Sequence, residues 1–164
     1  MIVVTDATPL IALAKIEQIA LLRCLFGEIC IPQAVYTEVV LAAPERPGAD
    51  EVRQADWIRT VTICDPTKVR YLRVELDAGE AEALVLAEEL QANWVVLDES
   101  KARRVAEILG LPYIGTVGLL LLAKQQGYLS QLRPLLDALR AQRFRLSDKI
   151  YQAVLRRANE DETL

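Results

Sequence analysis

Four acidic residues stand in apolar surroundings where an unpaired charge is costly: Asp6, Glu38, Glu80 and Asp98. Asp6 follows the apolar run Ile2–Thr5 and Asp98 follows Trp94–Leu97, so each marks the end of a short buried strand. In a helix, Glu38 has Ala34, Val35, Leu41 and Ala42 three and four positions away, and Glu80 has Leu76, Ala83 and Leu84. Both carboxylates therefore project along an apolar stripe. Glu82 lies about 200° round the helix from Glu80 and belongs to another face, so Glu80 is the candidate. Carboxylates gathered in one place do not all ionise unaided, and oxygen donors of this kind suit hard divalent ions such as Mg²⁺ or Mn²⁺.

Each acid also has a structural alternative. Asp6 can cap the helix after it, although Thr8-Pro9 offers a better-spaced cap with a first-turn proline. Glu38 can sit at the edge of its stripe and reach water. Glu80 can answer the helix dipole behind Asp77 as cap. Asp98 can cap a helix opening near Glu99, and Glu99 competes with it for any ligand role. In favour of a shared site, two strand-end aspartates and two inward glutamates can converge where parallel strands end, the edge at which open α/β sheets place their ligands.

The elements that must position them alternate along the chain. Strand-like runs occur at Ile2–Thr5, Glu28–Ile31, Thr60–Cys64, Trp94–Leu97 and Pro112–Gly115. Helical periodicity fills Leu10–Phe26, Gln33–Leu41, Gly79–Leu90, Ser100–Leu109, Val117–Gln126 and Gln131–Arg140. Pro32 opens one helix, Thr116 is placed to cap another, and Gly110 and Gly127 close two more. The pattern predicts an α/β fold, a doubly wound parallel sheet of four to five strands in flavodoxin-like order with helices on both faces. The domain is expected over residues 1–140. Residues 141–164 then form an extension, with an amphipathic helix over Ser147–Asn159 that carries Ile150, Val154 and Leu155 on one face and packs on the domain or on a partner.

Composition narrows the chemistry further. The 164 residues include no histidine, which excludes histidine triads, ligands and general bases. No apolar run approaches the roughly 20 residues of a bilayer-spanning helix, and the N-terminus reads as a strand rather than a secretory leader, so a soluble cytoplasmic protein is expected. Three cysteines, Cys24, Cys30 and Cys64, without C-x-x-C spacing read as reduced core thiols. The net charge of −4 is unevenly spread: residues 1–98 carry 8 basic and 16 acidic side chains, residues 99–164 carry 11 and 7. An acidic centre beside a basic flank suits a metal site that receives a polyanion.

Read in order, Val4-Thr5-Asp6-Ala7-Thr8-Pro9-Leu10-Ile11, Ile31-Pro32-Gln33-Ala34-Val35-Tyr36-Thr37-Glu38-Val39, Asp77-Ala78-Gly79-Glu80-Ala81-Glu82-Ala83, Val95-Val96-Leu97-Asp98-Glu99 and Gly115-Thr116-Val117-Gly118-Leu119-Leu120 resemble the PIN-domain superfamily, in particular its prokaryotic VapC-like toxins. The resemblance spans residues 1–140. It implies a Mg²⁺- or Mn²⁺-dependent endoribonuclease whose metal-binding and catalytic acids fall on Asp6, Glu38, Glu80 and Asp98. It also implies an RNA substrate and a small antitoxin-like protein as possible partner. Two positions depart from the pattern. The central-helix acid, often aspartate, is Glu80, and the Thr-x-Asp after the fourth strand is replaced by Leu97-Asp98-Glu99, which leaves Glu99 open as the last ligand. Thr8 is placed to orient Asp6 or a bound water, and Lys101 to Arg104 with Arg143 and Arg145 are placed to hold an RNA backbone. The competing reading is a PIN-like binding module without turnover that acts through a protein partner. Other doubly wound enzymes fit less well: a haloacid-dehalogenase-like phosphatase needs an aspartate at Thr8, and a receiver domain needs a lysine near Gly115. The leucine-rich stretch Leu119–Leu122 and the C-terminal helix suggest a homodimer.

Overall fold

Five short strands, β1 (Val3–Thr5), β2 (Ile29–Pro32), β3 (Ile58–Val61), β4 (Trp94–Val96) and β5 (Tyr113–Ile114), form one parallel sheet in a computed structural model that describes residues 1–161. Their order is β3-β2-β1-β4-β5, which corrects the flavodoxin-like order expected from sequence. That order would place β3 centrally, beside β1. Instead β3 exposes Arg59 and Thr60 and lies at the edge, where polar side chains remain solvated. The central strand is β1, whose three residues are all fully buried. It pairs with β2 through Val4 and Cys30, and with β4 through Thr5 and Val96. The carboxyl ends of β1 and β4 are thus side by side.

Side chains alternate across the strands and feed two core layers. Val3, Ile29, Ile31 and Val96 join one layer with residues of α1 (Ala7–Lys15), α2 (Ala20–Phe26), α8 (Thr116–Gln125), α9 (Arg133–Ala141) and α10 (Asp148–Arg157). Val4, Val95 and Leu97 join the other, under α6 (Ala78–Leu90) and α7 (Ser100–Ile108). The remaining helices are α3 (Gln33–Tyr36), which widens into a π-turn over Thr37–Leu41, α4 (Ala49–Gln54) and α5 (Pro66–Leu72).

Several expectations are corrected by this packing. The helix predicted over Leu10–Phe26 is two helices. After Ile16 the chain turns through Glu17 at φ 58, with the Glu17 amide donating to the Ala14 carbonyl and the Gln18 amide to the Leu13 carbonyl, a Schellman closure without the usual glycine. Leu119, Leu120 and Leu121 are in the core and Leu122 is half-buried, so the surface invoked for self-association is enclosed within one chain. The C-terminal helix buries Tyr151, Val154 and Leu155, while Ile150 remains 51% exposed. Beyond it, the Glu160 carboxylate accepts the Leu132 and Arg133 amides at 2.7 and 3.1 Å and lies 3.2 Å from Lys124 Nζ. Tyr151, Val154, Leu155 and Ala158 thus share the core layer of α8 and α9; 162–164 of the predicted extension lie outside the described residues. Cys24 and Cys64 are exposed rather than in the core, and only Cys30 is half-buried, though all three are free thiols. No helix among the described residues is long and apolar enough to cross a membrane.

Candidate active site

Asp6 sits where β1 gives way to α1. Its amide donates to the Val96 carbonyl at 3.1 Å, which ties it to the end of β4. With φ −81 and ψ 171 it occupies the N-cap position, and the helix starts at Ala7, so Thr8 is an exposed first-turn residue and not the predicted cap. Nevertheless the Asp6 side chain makes no capping hydrogen bond. It is 3% exposed, and its Oδ1 is buried without a hydrogen-bond partner among the described residues. Burial is the main force raising the carboxyl to about 7; the Ala7 amide opposes it, and the charges of Asp77, Glu80 and Glu38 add to it.

These acids meet over Gly79. A Cβ at that position would lie 3.1 Å from Glu38 Oε2, 3.2 Å from Asp6 Oδ1 and 3.6 Å from Asp77 Oδ1. Three carboxylates from three separate segments thus face one bare backbone position at the start of α6. Glu38 reaches it from the π-turn, a distortion frequent at functional sites. The predicted apolar stripe around Glu38 is corrected here: the buried side of this helix carries Val35, Val39 and Val40, while Leu41 and Ala42 face solvent. Glu38 stands on the open side, in a cleft of about 490 Å³ shared with Thr37, Asp77 and Gly79. Partial burial, then the Asp77 charge, raises its carboxyl above the usual range.

Glu80 serves two purposes. It closes a capping box, its Oε2 accepting the Asp77 amide at 3.1 Å while Asp77 Oδ1 accepts the Glu80 amide at 2.8 Å. It is also 8% exposed, and burial raises its carboxyl, opposed by the Asp77 amide and reinforced by Asp77, Glu99 and Glu38. Glu82 turns away and accepts the Ala34 amide at 3.1 Å, at the start of α3.

Asp98 is held differently. Its Oδ1 accepts the Thr116 amide at 2.8 Å and its Oδ2 the Thr116 hydroxyl at 2.6 Å, so it caps α8 from a neighbouring strand end, while Gly115 holds the N-cap position that sequence assigned to Thr116. Arg103 Nη2 stands 3.7 Å from Asp98 Oδ1, and Arg103 Nε donates to the Leu97 carbonyl at 3.0 Å. Burial raises the Asp98 carboxyl against the pull of Thr116 and Arg103. The charge from this strand end that reaches Glu80 is that of Glu99. The structure therefore brings Asp6, Glu38 and Glu80 together, adds Asp77, which sequence reading treated only as a cap, and engages Asp98 with α8.

Among the described residues no three of these side chains form a ready-made metal cage. The donor chemistry nonetheless fits Mg²⁺ or Mn²⁺: the oxygens are carboxylate, one is buried and unpartnered, and Mg²⁺ typically takes one or two carboxylates and keeps its waters. Beside the acids, a cleft of about 540 Å³ is lined by Thr8, Asp98, Glu99, Arg103, Arg143 and Arg145, among others. A cleft of about 610 Å³ near Lys15, Glu45 and Asp50 includes none of the clustered acids.

Residues 2–160 match the family model described as PIN domain. No curated protein matches the chain.

Proposed function

Given that the chain belongs to the PIN-domain family over nearly its whole length, a nuclease-type fold, we propose that it is a metal-dependent endoribonuclease of the VapC-like toxin type. Asp6, Glu38 and Glu80 would hold Mg²⁺ or Mn²⁺, with Asp98 or Glu99 completing the set. The observation that carries this reading is the Asp6 carboxylate, buried with an unpartnered Oδ1 and facing Glu38 and Asp77 across a bare glycine. A carboxylate so placed costs stability unless a cation or proton joins it.

When bound, the ion supplies an activated water and offsets charge on the phosphate and leaving oxygen. The chain supplies the rest. Asp6, fixed by the β1–β4 pairing, sets the buried end of the site, while Glu38 reaches in from the open side of the π-turn and can adjust to a ligand. Asp77 and Glu80 lock each other's orientation through the capping box. Asp98, Thr116 and Arg103 hold the end of β4 so that Glu99 emerges beside the acids.

The competing reading, a binding module acting through a small antitoxin-like protein, draws on one observation. Two of the four acids, Glu80 and Asp98, already have hydrogen-bond partners at helix starts and need no metal to account for them. The test is a thermal melt with and without Mn²⁺, alongside cleavage of single-stranded RNA, for the wild type and Asp6→Asn. The nuclease reading expects a Mn²⁺-dependent stabilisation and cleavage that both vanish in the variant. A wild type indifferent to Mn²⁺ and unable to cut RNA hands the case to the binding module.

A further inference from the structure

The basic side chains near the acids are not equivalent. Arg103 is committed internally: it bonds the Leu97 carbonyl, stands against Asp98 and lies over the Tyr113 ring at 5.5 Å. Gly115 leaves it room, since a Cβ there would collide with Arg103 Nη2. Lys101 and Arg104 are exposed but do not line the cleft. Arg143 and Arg145 line it together with Arg103, but unlike Arg103 both are exposed and neither has a side-chain partner among the described residues.

The segment that carries them is held firmly. Helix α9 closes with Arg143 at φ 63, the Arg143 amide donating to the Arg140 carbonyl and the Phe144 amide to the Leu139 carbonyl, both at 3.0 Å. Phe144 and Leu146 pack against the larger core layer, and Arg140 bonds the Leu146 carbonyl at 3.2 Å and Asp148 at 2.9 Å. Arg143, Phe144, Arg145 and Leu146 all line the cleft that Thr8, Asp98 and Glu99 also line, and of these four only the two arginines are exposed.

We infer that Arg143 and Arg145 form a two-point phosphate clamp that seats the backbone of single-stranded RNA beside the acidic site, while Arg103, held by Leu97 and Asp98, positions the end of β4. This rests on the nuclease reading for its substrate class. Phosphate contacts carry no base information, so the clamp grips the backbone without reading bases. Two guanidiniums on two phosphates release counterions on binding, about 0.7 per contact in the slope of log affinity against log salt for a single strand.

The experiment measures binding of a fluorescent single-stranded RNA to the full chain in chelator, across a salt series, so that cleavage plays no part. R143Q/R145Q is compared with the wild type and with R156Q/R157Q, which removes the same charge from the exposed end of α10, outside the cleft. The expected result is weaker binding by R143Q/R145Q, with a salt slope shallower by about 1.4, and near wild-type behaviour for R156Q/R157Q. Equal losses in the two variants, an unchanged R143Q/R145Q, or a wild type that binds no RNA overturns the clamp. A wild type that binds through these arginines yet cuts no RNA with Mn²⁺ keeps the clamp and sinks the nuclease reading, so the two failures are distinguishable.

Discussion

Replacing Asp6 with Asn in the absence of metal tests the electrostatic premise of the site most directly. The Asp6 carboxyl titrates at about 7 in the folded chain against 3.8 for an unburied aspartate. Between those values the folded state retains a proton that the unfolded state has lost, so stability declines as pH rises through the window. Roughly three pKa units at 1.36 kcal/mol each set a ceiling of about 4 kcal/mol on the cost of ionising Asp6 above pH 7. Asparagine keeps the shape and does not ionise. In chelator, Asp6→Asn should match the wild type near pH 4 and exceed it at pH 8 by up to about 4 kcal/mol. Burial likewise raises Glu80 and Asp98, so the variant retains part of the decline, and the decisive quantity is the difference between the two curves. Urea unfolding at several pH values measures it. Parallel curves from pH 4 to 8 would falsify the assignment of Asp6 as a buried, cation-seeking carboxylate.

Gly79→Ala places a methyl against Glu38 and Asp6, so the Mn²⁺-induced rise in Tm should be lost while the metal-free Tm changes little; calorimetry with and without Mn²⁺ reads both. Asp98 and Glu99 should separate cleanly. Asp98→Ala should cost about 1–2 kcal/mol in chemical unfolding, because it uncaps α8 and strands the Thr116 hydroxyl, whereas Glu99→Gln should leave stability intact and weaken Mn²⁺ binding; the reverse pattern rejects this division. For Glu160, burial works against ionisation, but the Arg133 and Leu132 amides and Lys124 outweigh it and hold the carboxyl below its ordinary value. That stabilisation is present above the ordinary glutamate range and fades as pH falls through the lowered value. Glu160→Gln should therefore lose about 1–3 kcal/mol at pH 7, with the loss shrinking in acid, and a pH-independent deficit would contradict the argument.

The sheet was legible because its strands are written in one chemical alphabet. Val3-Val4-Thr5 and Trp94-Val95-Val96 are β-branched or aromatic and wholly apolar apart from Thr5, as buried parallel strands require. Asp6 and Asp98 were found from their places just past those runs. What escaped has physical causes. The break at Ile16 uses Glu17 in a left-handed conformation, where no glycine announces it. Helices α4 and α5 are only six and seven residues long, and α5 buries none of its residues, so neither imprints a periodicity, although Asp65-Pro66 does carry a cap and first-turn proline. The role of Asp77 was hidden by its capping function: one side chain caps α6 and also charges the cluster. The commitment of Asp98 to Thr116 depends on a contact 18 residues away that no local pattern encodes.

The strand order carries a consequence for the history of each molecule. Of the five strands the central β1 is made before the others, yet one of its two neighbours, β4, is made only after residue 93. Until β4 pairs, Asp6 has no Val96 carbonyl for its amide, and its carboxylate remains hydrated. The mutual repulsion of the acids thus arises at a late closure across a long stretch of chain, the kind of pairing that is slowest to form. A nascent chain is spared that repulsion until β4 has been made, and the charged centre comes into being together with the fold that confines it.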